Sequence, residues 1–310
     1  MTPPDDFDPP IGVPQTLEPG IQRIVAPNPS PMTYRGTNTY LLGQSRLAVI
    51  DPGPDDASHL SAILGAVQPG QTISHIFVTH AHLDHSPLAA RLSAHTGAPV
   101  LAYGDHLAGR SAVMHELAQS GLMRGGEGVD HGFVPDQRLH DGETVHGDGW
   151  SLRAHWTPGH FGNHMCFASD DAVFVGDLVM GWASSLVSPP DGDLTDFMAS
   201  CRAMQAVKAR VMYAGHGAPI TDPAARLDWL ITHRHTRETA ILSALAQGPA
   251  TPPQLTALIY TDTPAALRPA ATRNVLAHLV DLTGRGLTQP DGALHHDTLF
   301  ALCSMAQAPE

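Results

Sequence analysis

Lysine is almost absent from this chain. Of 17 basic residues only Lys208 is a lysine, against 30 acidic residues. The formal net charge of −13 leaves no polybasic run to hold nucleic acid or an anionic membrane without sequence preference. Cysteine is scarce too: Cys166, Cys201 and Cys303 lie far apart with no CxxC pair. That excludes a disulfide framework and fits a reducing compartment. No apolar run approaches membrane-spanning length, so no membrane partner is expected. The start, Met1-Thr2-Pro3-Pro4-Asp5-Asp6, is acidic and proline-rich, unlike a secretory or transit peptide, and the expected setting is cytoplasmic. With 42% hydrophobic and 15% charged residues in 310, the composition is globular and sufficient for a large core plus a small appended domain.

Histidine, in contrast, is abundant, and its placement is uneven. The stretch His80-Ala81-His82-Leu83-Asp84-His85 puts three histidines and an aspartate into six positions, directly behind the apolar run Ile76-Phe77-Val78. In an extended segment side chains at i and i+2 share a side, so His80 and His82 can converge on one point beyond the strand end. Asp84 and His85 follow where the chain must turn and can reach a second point. Imidazole nitrogen and carboxylate oxygen at this spacing suit zinc, or iron or manganese, better than magnesium or calcium. Three later strand ends repeat one device, a polar residue directly behind glycine: Gly159-His160, Gly176-Asp177 and Gly215-His216. The candidate metal ligands are therefore His80, His82, Asp84, His85, His160, Asp177 and His216.

Strands are expected at 21–25, 37–42, 47–50, 73–79, 100–102, 151–156, 165–168, 172–175 and 211–214. Helical spacing appears behind Asp55 and Asp56, where Leu60, Ile63, Leu64 and Val67 form one apolar face, and again at 87–93, 193–207 and 223–247. Residues 1–20 read as a poorly packed arm, and 103–148 as a rim insertion with a helical piece at 112–117 and a break at Gly125-Gly126. Beyond Gly248-Pro249, helices at 252–260 and 270–283 and strands at 287–289 and 293–302 around Asp291-Gly292 resemble a winged helix. The expected division is a catalytic domain at 1–222, a connecting helix at 223–248 and a winged-helix-like domain at 249–310. The last sixty residues hold 3 arginines and 5 acidic residues, a poor footprint for duplex binding, so a packing or substrate-shaping cap stands beside nucleic-acid contact.

The full ligand pattern, HxHxDH followed by a distant histidine, aspartate and histidine, resembles the metallo-β-lactamase superfamily. The resemblance implies an α/β architecture, an αββα sandwich with the site at one edge between its sheets. It implies two divalent metal ions, zinc first and iron or manganese next, with His80, His82 and His160 on one. Asp84, His85 and His216 would hold the other, and Asp177 would bridge both. True class B β-lactamases typically use cysteine at the Asp177 position, which disfavours antibiotic hydrolysis, and the set is more similar to glyoxalase II, the tRNA-processing nucleases and their relatives. Asn28-Pro29, Gly36-Thr37-Asn38-Thr39-Tyr40-Leu41, Ile50-Asp51-Pro52-Gly53-Pro54 and His160-Phe161-Gly162-Asn163-His164-Met165 resemble the narrower subgroup around β-lactamase-like protein 2. His233-Arg234-His235-Thr236-Arg237-Glu238 and the terminal winged helix are similar to it as well. Phe161 departs from the threonine often found there. The animal member of that subgroup is associated with single-stranded RNA cleavage.

These readings make the expected chemistry a binuclear metal-dependent hydrolysis, a metal-bridging hydroxide attacking an ester, thioester or similar small substrate. A single-strand endoribonuclease and a nucleic-acid-binding regulator with a structural metal are the alternatives. Asp84 is the first choice of catalytic residue, holding the hydrogen of the nucleophile. His164 is a second candidate, as donor to a leaving group or oxyanion, or else a core histidine. Asp51 is either a turn former or a hydrogen-bond partner of a ligand. Arg234, His235 and Arg237 read first as a solvated helix face, with phosphate or carboxylate binding as the alternative. His75, His95, His155, the His295-His296 pair and Cys166 read as structural.

Overall fold

The computed structural model describes residues 7–120 and 128–303. The Gly125-Gly126 break lies outside the described residues. The chain opens with β1 (Gln15–Glu18) and β2 (Ile21–Val25), then β3 (Asn38–Leu42) and β4 (Arg46–Ile50), all antiparallel neighbours. Helix α1 (Ala57–Ala66) crosses to β5 (Thr72–Phe77) and α2 (Leu88–Thr96) to β6 (Val100–Ala102), each strand parallel to the one before. After α3 (Ala112–Gln119), β7 (Gln137–Arg138) completes a seven-stranded sheet in sequence order. A second sheet of five strands holds β8 (Thr144–His146), β9 (Ser151–Trp156), β10 (Met165–Ser169) and β11 (Ala172–Gly176). Helix α4 (Leu194–Ala206) leads to its last strand, β12 (Val211–Ala214), parallel to β11. Then come α5 (Pro223–Leu245), α6 (Pro252–Ile259), α7 (Arg268–Gly284) and a hairpin of β13 (Thr288–Pro290) and β14 (Phe300–Leu302).

The period-2 side-chain alternation of strands explains the layering. Leu41, Leu47, Val49, Ile73 and Ile76 point outward to Leu60, Ile63, Leu88 and Leu92 of α1 and α2. Their neighbours Tyr40, Leu42, Ala48, Ile50 and Phe77 point inward, onto Leu152, Ala154, Met165, Phe167, Phe174 and Tyr213 of the other sheet. Cys166, Val173 and Val175 face out again, under Leu194, Phe197 and Cys201 of α4 and Leu227 and Leu230 of α5. Helix, sheet, sheet, helix is the result. Because both faces of each sheet are covered, the strands read as near-continuous apolar runs. Burying each such Leu, Ile or Phe stabilises by roughly 1.5–3 kcal/mol.

Three expectations need correction. The N-terminal arm is packed from Phe7 onward: its ring stacks on Tyr34 at 5.9 Å, and Arg23 lies 4.8 Å above it. These contacts are non-local and leave no periodic trace. The region 103–148 contains β7 and β8, too short for a pattern to show. The second wing strand spans three residues rather than ten, because 291–299 form a turn closed by Thr298 Oγ1, which donates to the Ala293 carbonyl at 2.7 Å.

One consequence of topology positions the site. β4 and β5 run parallel, as do β11 and β12, and β9, antiparallel to β10, runs the same way as β11. The loops carrying Asp51, His80–His85, His160, Asp177 and His216 therefore leave the carboxyl ends of their strands along one edge of the sandwich.

Candidate metal centre

His80 to His85 do not continue the strand. β5 stops at Phe77, and the following residues turn so that His80 Nε2 and His82 Nδ1 lie 2.8 Å apart. His160 Nε2 comes within 3.1 Å of the same His82 nitrogen. For a tetrahedral zinc site with Zn–N of about 2.0–2.1 Å, ligand nitrogens are about 3.3 Å apart, close to this spacing. A second group forms beside the first. His216 Nε2 lies 3.2 Å from Asp84 Oδ2 and 3.4 Å from His85 Nε2. The Asp177 carboxylate sits between the two groups, 3.7 Å from His160 Nε2, 3.6 Å from His85 Nε2 and 3.4 Å from His216 Nε2. Glycine makes this approach possible. A Cβ on Gly215 would collide with Asp177 Oδ1 and lie 2.7 Å from His85, while Gly176 (φ 45°) leaves no room for a Cβ against Thr79 and His164.

The outward nitrogens decide what the inward ones can be. His160 Nδ1 faces the Leu186 carbonyl at 2.6 Å and His216 Nδ1 the Gly36 carbonyl at 3.2 Å. A carbonyl only accepts, so both Nδ1 atoms carry hydrogen, and the neutral rings present Nε2 lone pairs to the site. His85 Nδ1 donates to Asp51 Oδ2 at 2.9 Å, with the same result. His80 Nδ1 donates to Thr79 Oγ1 at 3.0 Å, and Thr79 donates onward to Asp51 Oδ2 at 2.7 Å. The carboxylates of Asp84 and Asp177 add only acceptors, and Asp177 Oδ1 is buried without a hydrogen-bond partner. A cluster built of lone pairs and negative oxygens calls for cations. His80, His82 and His160 offer one pocket and Asp84, His85 and His216 another, with donor atoms inside 4.8 Å in each. His80, His85 and Asp177 form a third such group that spans the two.

The electrostatics agree for the first pocket and differ in the second, where the carboxylates favour positive charge. Burial holds His80, His82 and His160 below the ordinary histidine value, His82 to about 3, so these three are neutral donors. Burial also opposes charge on His216 and His85, but Asp177 and Asp84 outweigh it, and His216 rises to about 10. Against burial, His85 and His216 keep the Asp84 carboxyl ionised, and the same two imidazoles do so for Asp177.

Asp51, itself at φ 50°, gathers the Thr79 amide at 2.7 Å, the Thr79 hydroxyl and His85, and so orients ligands in both pockets. His164 does not face the cleft. The Asp177 amide donates to its Nε2 at 3.2 Å, its Nδ1 donates to Thr157 Oγ1 at 2.9 Å, and it is fully buried. The geometry assigns it to holding the Asp177 turn, not to a leaving group. Arg234 is no solvated residue either but the largest fully buried side chain among those described. Thr79, Thr157 and the carbonyls of Gly36 and Leu186 went unforeseen. Only Thr79, next to His80, had a side chain that could have announced it.

Residues 32–216 match the model of the metallo-beta-lactamase superfamily, and 251–294 match the beta-lactamase associated winged helix domain. The chain belongs to the metallo-beta-lactamase superfamily. It carries a C-terminal winged helix. A beta-lactamase-like protein 2 homolog of Drosophila melanogaster is 31% identical over 87% of this chain and 90% of its own length. An atrochrysone carboxyl ACP thioesterase of Aspergillus fumigatus is 32% identical over 74% of this chain and 66% of its own. This chain spans only 63% to 66% of the length of such fungal relatives. The crystal structure of a metallo-beta-lactamase family protein from Thermus thermophilus superposes with a TM-score of 0.74 at 26% identity, covering 93% of this chain and all of that one. No described helix is long and apolar enough to cross a membrane.

Proposed function

We propose that this chain is a binuclear zinc hydrolase of carboxyl thioesters and related esters. The observation that carries the reading is the convergence of five imidazole and two carboxylate donors, four of the rings held by outward bonds so that, once neutral, they present Nε2 lone pairs inward. Imidazole-rich, mixed N and O donors suit zinc, with iron or manganese as the other metals this set accepts. Two bound divalent cations supply an acidified water and a polarised carbonyl. His80, His82 and His160 would bind one, Asp84, His85 and His216 the other, and Asp177 both. Asp84 is the most exposed of the carboxylates here, its side chain 27% open against 9% for Asp177. It is thus the group able to take the hydrogen of an attacking water. Tyr34 and Trp182, stacked at 5.1 Å beside the Gly217 turn, flank the His216 side with an apolar wall suited to an acyl chain.

The name of the fungal thioesterase supports the thioester, and the chain's negative charge and single lysine favour a small substrate over a polyanion. The winged helix points the same way. In α7, seven consecutive residues, Asn274–Val280, are buried, so this helix has no free face to lay in a duplex groove. Thiol release from a small acyl thioester, measured with and without chelator, tests the reading. Chelator-sensitive turnover that disappears in Asp84→Ala is expected. Cleavage of unstructured RNA without thioester turnover would transfer the site to phosphodiesters, and no turnover of either would leave the metal a structural role.

A further inference from the structure

The Leu178–Val187 segment, which follows Asp177, is held from outside by the connecting helix and the winged helix. Arg226 Nε donates to the Met180 carbonyl at 2.7 Å and Nη2 to the Ala183 carbonyl at 2.6 Å. Two turns on in α5, Arg234 Nη2 donates to the Ser185 carbonyl and Nη1 to Asn274 Oδ1 of α7, at 3.0 Å for the latter. The Val187 amide donates to that same Asn274 oxygen at 2.9 Å. Now the Val187 N–H and the Leu186 C=O belong to one peptide group, which is planar and turns only as a unit. Its carbonyl end orients His160 Nδ1 at 2.6 Å, and its amide end is fixed by Asn274. Arg234 is 1% exposed, packs 5.1 Å from Phe197, and meets neutral oxygens rather than a carboxylate. A buried guanidinium bound this way is a costly choice for stability alone.

We infer that Asn274 and Arg234 are positioning residues for His160, so that the winged-helix domain is a working part of the first metal pocket. The inference rests on the metal-centre reading above. Asn274 sets the plane of the 186–187 peptide, and Arg234 aligns both Asn274 and the preceding carbonyl. Without that support the Leu186 carbonyl can rotate away, and His160 loses the partner that fixes its tautomer and aim.

Zinc affinity, read by stepwise competition with a chromophoric chelator, tests this without reference to turnover. Cobalt spectra of the same proteins report the geometry of each pocket. His160→Ala and His216→Ala identify which step belongs to which pocket. Asn274→Ala should weaken the His160 step by about tenfold, the lower end of the range for partners of ligands, and leave the His216 step unchanged. Asn274→Asp, which keeps the accepting oxygen, should restore it. Val280→Ala serves as control, because Val280 is buried in the winged-helix core without touching the segment. It should lower thermal stability and change neither step. Unaltered steps in Asn274→Ala, or equal weakening of both steps in Asn274→Ala and Val280→Ala, would overturn the inference. Wild-type protein that takes up no zinc would instead overturn the metal reading, and the two failures are thereby told apart.

Discussion

The two pockets of this site are built on different principles. The His80, His82 and His160 pocket has neutral donors only, and the bonds that aim it run to Thr79 and to the Leu186 carbonyl. The Asp84, His85 and His216 pocket carries its own carboxylate, and Asp51 stands directly behind His85. A cation in the second pocket would be held by opposite charge at short range; one in the first would depend on the aim of three lone pairs and on a shared Asp177. Charge tolerates small displacements of its donors, whereas lone-pair direction does not. The first pocket is accordingly the one that long-range structure must brace.

The largest effect expected is at the residue that belongs to both pockets. Asp177→Ala should lower turnover by more than about 100-fold, beyond what loss of an outer partner alone causes, and should weaken both zinc steps together. Selective loss of a single step would show that Asp177 serves one pocket. Asp51→Ala comes next. It removes the acceptor behind His85 and the end of the His80–Thr79 relay, so both steps should weaken, by about 10- to 100-fold, as chelator competition would reveal. The Tyr34–Trp182 wall belongs to neither pocket's donors. Trp182→Ala should raise KM for long-chain acyl thioesters several-fold more than for acetyl ones while zinc content holds; equal changes for both substrates would remove the wall from substrate binding.

The smallest effect concerns support for the second pocket at one remove. Thr39 Oγ1 donates to the Asp51 carbonyl at 2.7 Å, so it accepts from His59 Nε2, leaving His59 Nδ1 buried and without a partner. Burial lowers the His59 pKa to about 4 from the ordinary 6.5. Between those values the unfolded chain binds the proton and the folded one refuses it. The stability that neutral His59 contributes is therefore complete above pH 6.5 and is lost as pH falls toward 4, on the order of 3 kcal/mol in all. Urea unfolding of the metal-free protein should show a steeper decline across this window than His59→Leu does. Parallel slopes for the two proteins would remove His59 from the account.

The unequal construction also explains what the sequence discloses. The candidate ligands sit at strand ends behind glycine or inside one short cluster, because a metal pocket needs specific side chains at specific places. All seven candidates can be named from that signature. The αββα layering comes from the family resemblance that this ligand pattern carries, while the apolar runs themselves disclose the strands. The backbone bracing is hidden, because it acts through the carbonyl of Leu186 in the first pocket and of Gly36 in the second, which any residue could supply. Arg234 misleads for a different reason. It lies within the cationic stretch His233–Arg237, yet it occupies the stripe of buried positions Leu227, Leu230, Ile241 and Leu245, at helical spacing. A charge in an apolar stripe is a buried charge until shown otherwise, and that rule would have found it. His164 misleads because a histidine four residues past a ligand carries no mark of which way its ring points.

The measurement that bears most directly on the account is zinc content and stepwise affinity of the wild-type chain beside His160→Ala and His216→Ala. Two zinc ions per wild-type chain, and one per chain in each variant with a different step missing, are the predicted result. A single ion in the wild type, or the same step lost in both variants, would contradict the two-pocket site.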